Sequence, residues 1–284
     1  MIVTRFAPSP TGFLHLGHAF AAITAHDTAE RAGGRCLLRI EDIDKARCRP
    51  EFEDAIKQDL HWLGLNFAEP VRRQSEHMSD YAAAIAVLER RELIYPCFCT
   101  RKEIADEVAR AGAAPHGPDG PSYPGTCRQL SAAERNKRIA AGVSYALRLD
   151  SAKAFAQVGQ PLVFEERGSG PAQESGRQIV SLQYLSDIVL ARKELQTSYH
   201  LAVVVDDALQ RVSLVTRGCD LFFATHIQRL LQACLDLPAP LYAHHRLILD
   251  ASGKKFSKRD RAVTLGSMRN SGVTPGEIRS RLGV

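Results

Sequence analysis

Apolar positions near the N-terminus change period twice. MIVTRFAP is a short apolar run closed by a Pro/Gly loop, which predicts a buried strand. From His15 to about Arg31 the apolar residues Leu16, Ala19, Phe20, Ile23 and Ala29 recur at helical spacing. Gly33 and Gly34 then stop the helix, and RCLLRIED reads as a second strand with an acidic end. Strand, loop, helix and strand in that order make a βαβ unit, so a parallel sheet with a right-handed crossover is expected.

Helical stretches are predicted from Glu51 to about Leu63 and around Ser79–Arg91. AGAAPHGPDGPSYPG, from Ala111 to Gly125, is too rich in Gly and Pro for a regular element. It falls inside a region read as an insertion. HLAVVVDDAL is a continuous apolar run of the kind expected for a strand buried on both faces. A strand in VSLVTRG and a helix from about Thr225 to Leu235 follow. In VTPGEIRSRLG, Thr274 can cap a last helix, with Pro275 in its first turn and Glu277 completing a capping box. The organisation expected is α/β: a first half at 1–94, the insertion at 95–185, a second half at 186–240 and a C-terminal helical segment at 241–284.

Composition changes this picture little. The 284 residues are 45% hydrophobic and 24% charged, ordinary for a globular chain. A formal charge of +5 suits an anionic partner without requiring one. The segment MIVTRFAPSP lacks the basic and apolar regions of a secretory signal, and no window approaches 18 uninterrupted apolar residues, so no membrane partner is expected. Cys36, Cys48, Cys219 and Cys234 are scattered in a total of seven, which argues against a disulfide framework and for a reducing cytoplasm.

Two stretches carry chemistry. In RFAPSPTGFLHLGH, His15 and His18 share a face at the start of a helix, where backbone N–H groups and the positive dipole end favour an anion. Both rings can donate to phosphate oxygens, and Gly17 removes a side chain that would keep a flat ring off the backbone. In GKKFSKRD, Lys254, Lys255 and Lys258 surround Ser257. Such a charge run is either a solvated face or a cationic loop that holds charge developing on a pyrophosphate leaving group.

Together, HLGH at 15–18 and KFSKR at 255–259 resemble the HIGH and KMSKS signatures of class I aminoacyl-tRNA synthetases, with Phe256 and Arg259 as departures in the second. The resemblance implies a Rossmann-like parallel sheet that binds ATP with Mg²⁺ at its C-terminal edge. His15, Gly17, His18 and Lys258 would contact ATP. His15, His18, Lys255, Ser257 and Lys258 would stabilise the phosphates while a carboxylate attacks the α-phosphate. Catalysis would then be positioning and electrostatics.

RFAPSPTGFLHLGHA, LLRIEDID, YHLAVVVDD and VTRGCDL look like the corresponding blocks of glutamyl-tRNA synthetases. Glutamate offers two carboxylates and one ammonium, and Arg5 and Arg217 are natural carboxylate partners. By the same resemblance Glu41 would hold the ammonium, with Ser9 and Tyr199 supplying hydroxyl contacts. Glu41 could instead form a surface ion pair with Arg39. Asp206 and Asp207 could touch ribose or cap the end of the strand. About 25 residues follow KFSKR, where a full glutamyl-tRNA synthetase carries a large anticodon-binding region. The resemblance is therefore to the truncated paralogues in that family, which transfer glutamate to queuosine at the wobble position of tRNA(Asp). L-glutamate, ATP and that anticodon loop are the partners implied, and a monomer is expected. The rival readings are a minimal glutamyl-tRNA synthetase charging an acceptor end, and an inactive synthetase-like binding module.

Cys97, Cys99 and Cys127 bracket the Gly/Pro segment, and three thiols in a reducing compartment suggest a structural Zn²⁺. The paralogues share a C-x-C … Y-x3-C pattern that makes Tyr123 the fourth ligand, although a phenolate would need its proton displaced by the metal. His116 is the conventional alternative, and free buried thiols are the alternative to a metal. No catalytic role is expected for the zinc.

Overall fold

In the computed structural model, which describes residues 1–100, 102–104, 116–117, 120–121, 123–159, 161–192, 196–249, 253 and 263–284, the N-terminal βαβ unit forms as its sequence predicts. Strand β1 (Val3–Phe6) leads through the Pro/Gly loop to helix α1 (Leu16–Arg31), and β2 (Arg35–Ile40) returns parallel to β1. Helix α2 (Pro50–Trp62) carries the chain to β3 (Ala68–Arg73), which pairs parallel with β2. The polar sequence of β3, with its internal Pro70, concealed it as a strand. Helix α3 (Met78–Arg90) completes this half.

The chain then enters a separate antiparallel sheet, starting with β4 (Ile94–Cys97). A two-residue pairing of β5 (His116–Gly117) with β6 (Gly120–Pro121) and helix α4 (Ala132–Ala140) lead to β7 (Ala146–Leu149). After helix α5 (Ser151–Val158), β8 (Val163–Glu166) and β9 (Gly176–Ile179) leave that sheet, and β10 (Val189–Arg192) rejoins it beside β7.

HLAVVVDDAL is not a strand. It is helix α6 (Tyr199–Leu209), capped by Ser198, whose Oγ accepts the Leu201 N–H at 3.4 Å. His200 through Asp207 are all buried, so no polar face marks the helical period, and an unbroken apolar run was left to read as strand. Strand β11 (Leu214–Gly218), helix α7 (Ala224–Cys234) and β12 (Leu241–His245) follow, then α8 (Leu265–Asn270) and α9 (Pro275–Leu282). The last helix has the expected Thr274–Glu277 capping box.

A second sheet runs β11-β12-β8-β9, with β11, β12 and β8 mutually parallel. Its pairing crosses the 185/186 and 240/241 boundaries expected from sequence, since β8 and β9 come from 95–185 and β12 from 241–284. Strand β1 runs beside β11, tied by Ser213 N–H to the Val3 carbonyl at 3.0 Å. The parallel layer is thus β3-β2-β1-β11-β12-β8, and its order reverses between β1 and β11, the topological switch point where α/β sheets open a crevice. One core cluster, including Leu14, Phe20, Ile23, Ile56 and Leu60, also takes in Leu265 and Ile278 of the C-terminal helices. Another joins Val3, Tyr81, Leu88, Val203, Leu230 and Tyr242.

Candidate active site

A cavity of about 420 Å³ opens at the switch point. Arg5 and Phe6 reach it from β1, His15, Gly17 and His18 from the start of α1, and Arg217 and Gly218 from the end of β11. Six of the residues expected from sequence to contact glutamate or ATP therefore meet in it: Arg5, His15, Gly17, His18, Glu41 and Arg217, with Tyr199 as a seventh. Lys255, Ser257 and Lys258 lie outside the described residues.

The two histidines are set by the backbone. His15 is the N-cap of α1, and its Nδ1 accepts the Gly17 N–H at 3.1 Å. His18 Nδ1 accepts the His15 N–H at 3.2 Å. The result is a capping box built from imidazoles, with ring centroids 3.8 Å apart. Because each Nδ1 is an acceptor, each neutral ring carries its proton on Nε2, which makes Nε2 a donor for an anion. A Cβ on Gly17 would come 3.1 Å from the His15 ring, so the glycine lets that ring lie close against the helix start.

Arg5 is held by Asp207, whose Oδ1 accepts from Nε at 3.1 Å, and by the Thr216 carbonyl at 3.2 Å. The same Asp207 oxygen takes Arg39 Nη1 at 2.7 Å, and Arg39 Nη2 donates to Glu41 at 3.2 Å. The Arg39–Glu41 pair considered from sequence therefore exists, but it is buried: Arg39 is 0% exposed. Burial raises the Glu41 pKa, with Arg39 and Arg5 opposing it. For Asp207 burial acts upward too, and Arg5 and Arg39 outweigh it to leave the carboxyl below its usual range. Asp206 binds Arg72, Gln74 and Tyr81. Neither aspartate caps a strand or lines the cavity. Both sit on helix α6 and brace it to the first sheet, which corrects the ribose and strand-cap expectations.

A second cavity, of about 790 Å³, lies on the other side of Glu41 and Tyr199, which line both. Ser9 lines this larger space, not the smaller one, together with Asp44, Arg148, Tyr184, Asp187 and Arg192. Among residues no sequence pattern picked out, Tyr184 and Arg192 form its wall, and Asp220, His245 and Arg246 help to line the smaller cavity.

The thiols converge. Cys97, Cys99 and Cys127 place their sulfur atoms within 4.8 Å of one another. Cys99 Sγ is 3.4 Å from Cys127 Sγ and 3.6 Å from the Tyr123 hydroxyl, which also accepts the Cys127 N–H at 2.8 Å. Three sulfurs around one point suit a structural zinc site, and the Tyr123 hydroxyl beside Cys99 offers a fourth, unusual donor. Burial pushes the Cys99 thiol up to about 12 and raises the Tyr123 hydroxyl further. A cation is the natural means of displacing those protons. The side chain of His116 lies outside the described residues. None of the seven cysteines is in a disulfide, and no described helix is long and apolar enough to cross a membrane.

Residues 1–283 match the family described as tRNA synthetases class I (E and Q), catalytic domain, and the chain belongs to that family. It is a ligase of the class I aminoacyl-tRNA synthetase type, a class that uses ATP with Mg²⁺. Within the family it is 48% identical over 287 residues to the glutamyl-Q tRNA(Asp) synthetase of Rhodobacter capsulatus, covering 100% of both chains. It is 41% identical to the glutamyl-Q tRNA(Asp) synthetase of Nocardia farcinica over 98% of this chain and 82% of that one. The glutamate-tRNA synthetase of Elizabethkingia anophelis superposes with a TM-score of 0.74 at 28% identity, over 91% of this chain and 53% of that one. The chain thus spans about half the length of that structure. A glutamyl-tRNA synthetase-like function follows from these matches.

Proposed function

We propose that the chain activates glutamate with ATP in the smaller cavity and transfers it, in the larger one, to queuosine at the wobble position of tRNA(Asp). The observation that carries this reading is the shared wall. Glu41 and Tyr199 line both cavities, so an activated glutamate held against them lies within reach of an acceptor entering from the other side. The names of the relatives support this choice of acceptor.

In the first step a glutamate α-carboxylate oxygen attacks the α-phosphorus of ATP, and the bond to the β-phosphate breaks as pyrophosphate leaves with its electron pair. Arg5 and Arg217 hold carboxylates, Glu41 faces the ammonium and Tyr199 offers a hydroxyl, while Ser9 offers another from the larger cavity across the shared wall. His15 and His18 donate from Nε2 to phosphate oxygens, and Gly17 leaves the backbone open beside them. Lys255 and Lys258 add positive charge at the leaving group, and Ser257 adds a hydroxyl donor. Mg²⁺ bound with ATP supplies further charge neutralisation. In the second step an acceptor hydroxyl attacks the acyl carbon, AMP departs and the hydroxyl proton passes to solvent. Cys97, Cys99, Tyr123 and Cys127 would hold a structural Zn²⁺, which would tie Tyr123 and Cys127 to the end of β4. The protein acts as a monomer in the cytoplasm on the anticodon loop of tRNA(Asp).

Glutamate transfer to queuosine-containing tRNA(Asp), with unmodified tRNA as control, tests the reading. Labelled glutamate on the modified tRNA alone is expected. Labelling of unmodified tRNA would overturn it in favour of acceptor-end charging, and ATP binding without adenylate would overturn it in favour of an inactive module.

A further inference from the structure

Arg217 differs from Arg5 and Arg39, the buried arginines nearest to it in role, in what holds it. Arg5 and Arg39 bond directly to carboxylates. Arg217 donates from Nε to His244 Nε2 at 3.0 Å, from Nη1 to Gln228 at 2.7 Å and from Nη2 to the Thr225 hydroxyl at 2.7 Å. All three acceptors are neutral, and no carboxylate of a described residue pairs with it. Three of the five guanidinium N–H bonds are thereby oriented, and two are bound by no described residue.

The anion that governs this arrangement stands one imidazole ring further back. Glu166, on β8, receives His244 Nδ1 on Oε2 at 2.5 Å, while Oε1 accepts the N–H groups of Gly168 at 2.7 Å and His244 at 2.9 Å. Neither Glu166 nor His244 lines the cavity; Arg217 does. The contact with Arg217 requires a lone pair on His244 Nε2, so the ring proton sits on Nδ1, where Glu166 takes it. Burial holds the His244 pKa down, with Glu166 opposing and Arg217 assisting. The backbone is built around this pair, since a Cβ on Gly168 would fall 2.1 Å from the His244 carbonyl oxygen.

We propose that Glu166 and His244 are positioning residues for glutamate recognition: the carboxylate fixes the imidazole, and the imidazole fixes the Arg217 guanidinium without occupying it with a competing anion. A carboxylate bonded directly to Arg217 would compete with the substrate's own carboxylate for the same donors. A neutral imidazole orients the fork and leaves its charge uncompensated at contact, so binding energy goes to the incoming anion. This inference rests on the reading of Arg217 as a glutamate contact.

Glutamate-dependent ATP–pyrophosphate exchange tests it with Glu166→Gln, Arg217→Lys and the double variant. An amide cannot accept from two backbone N–H groups and from Nδ1 with oxygen alone, so Glu166→Gln breaks one side of the relay. It is expected to raise the KM for glutamate by about tenfold, equivalent to ~1.4 kcal/mol. The KM for ATP should stay within about twofold, and the double variant should be no worse than Arg217→Lys alone. A KM for glutamate unmoved by Glu166→Gln but raised by Arg217→Lys overturns the relay and leaves the glutamate reading intact. No effect of Arg217→Lys overturns both. Equal rises in both KM values, with an additive double variant, mean a merely structural pair and also overturn it. Should Glu166→Gln fail to fold, His244→Ala and His244→Gln decide: a Gln oxygen can replace Nε2 as the acceptor, so only His244→Gln should recover the KM for glutamate. Equal values for these two variants would overturn the proposal.

Discussion

His15 and Thr264 pair as partners in an isolated antiparallel bridge, and beside it the Leu265 N–H donates to the Leu14 carbonyl at 2.8 Å. The residue that opens the first helix is thereby fastened to the residue that caps α8, just past the lysine-rich stretch. A second tie lies close by: Arg269 of α8 reaches Asp59 of α2 at 3.0 Å. Thr264 and Leu265 are thus anchored to the segment that carries the histidines.

Replacing His15 by Asn should separate helix capping from chemistry. Asn is among the best N-cap residues, so α1 keeps its start and stability should change by less than about 1 kcal/mol. The imidazole Nε2 donor is lost, and the rate of pyrophosphate exchange should fall about 100-fold. A thermal melt beside the exchange assay checks both halves of this expectation.

Asp207→Asn should weaken folding and glutamate binding together. One buried carboxylate serves Arg5 and Arg39, and an amide oxygen replaces it without its charge. Leaving buried guanidinium charge undercompensated should cost ~3 kcal/mol. Urea unfolding measures that loss, and a raised KM for glutamate would report the release of Arg5.

Asp59 is 1% exposed, and burial pushes its pKa up to about 6 against the pull of Arg269. With the folded-state pKa above the unfolded value, its contribution to stability is complete below about pH 4 and is lost as pH rises through 6. Asp59→Asn should flatten the stability profile across that window. Arg269→Ala removes the positive charge that lowers the pKa, so it should steepen the loss and move it to higher pH. Urea midpoints measured between pH 4 and 8 distinguish the two variants.

Purified protein should hold one zinc, removable by chelation, with melting of the β4 region as its consequence. Tyr123→Phe keeps the ring and deletes the oxygen next to Cys99, so zinc affinity should fall at least about tenfold. His116→Ala should leave it unchanged. Metal analysis after competition with a chelator provides the comparison.

The sequence made α1, β1 and β2 legible because their apolar periods are clean and Gly or Pro closes each one. Helix α6 was hidden by its own burial. Strands β8 and β12 pair across 76 positions, from Glu166 to Tyr242, and no local pattern records such a pairing. The site divides in the same way. His15, His18, Arg5 and Arg217 stand in segments with a recognisable shape, whereas the residues that hold them do not. Arg39 and Asp207 meet across 168 positions and Glu166 and His244 across 78, so only the folded sheet reveals these holders.

The wall formed by Glu41 and Tyr199 also bears on how such an enzyme could change. Under the proposed function, activation depends on the rim of one cavity, while the choice of acceptor depends on the far side of the other, where Tyr184 and Arg192 lie. Substitutions on that far side can retune what is accepted without touching the arginines and histidines of the first step. Under that proposal two selective pressures would act on separate surfaces, and a lineage could exchange one acceptor for another while its adenylation chemistry stayed inherited intact.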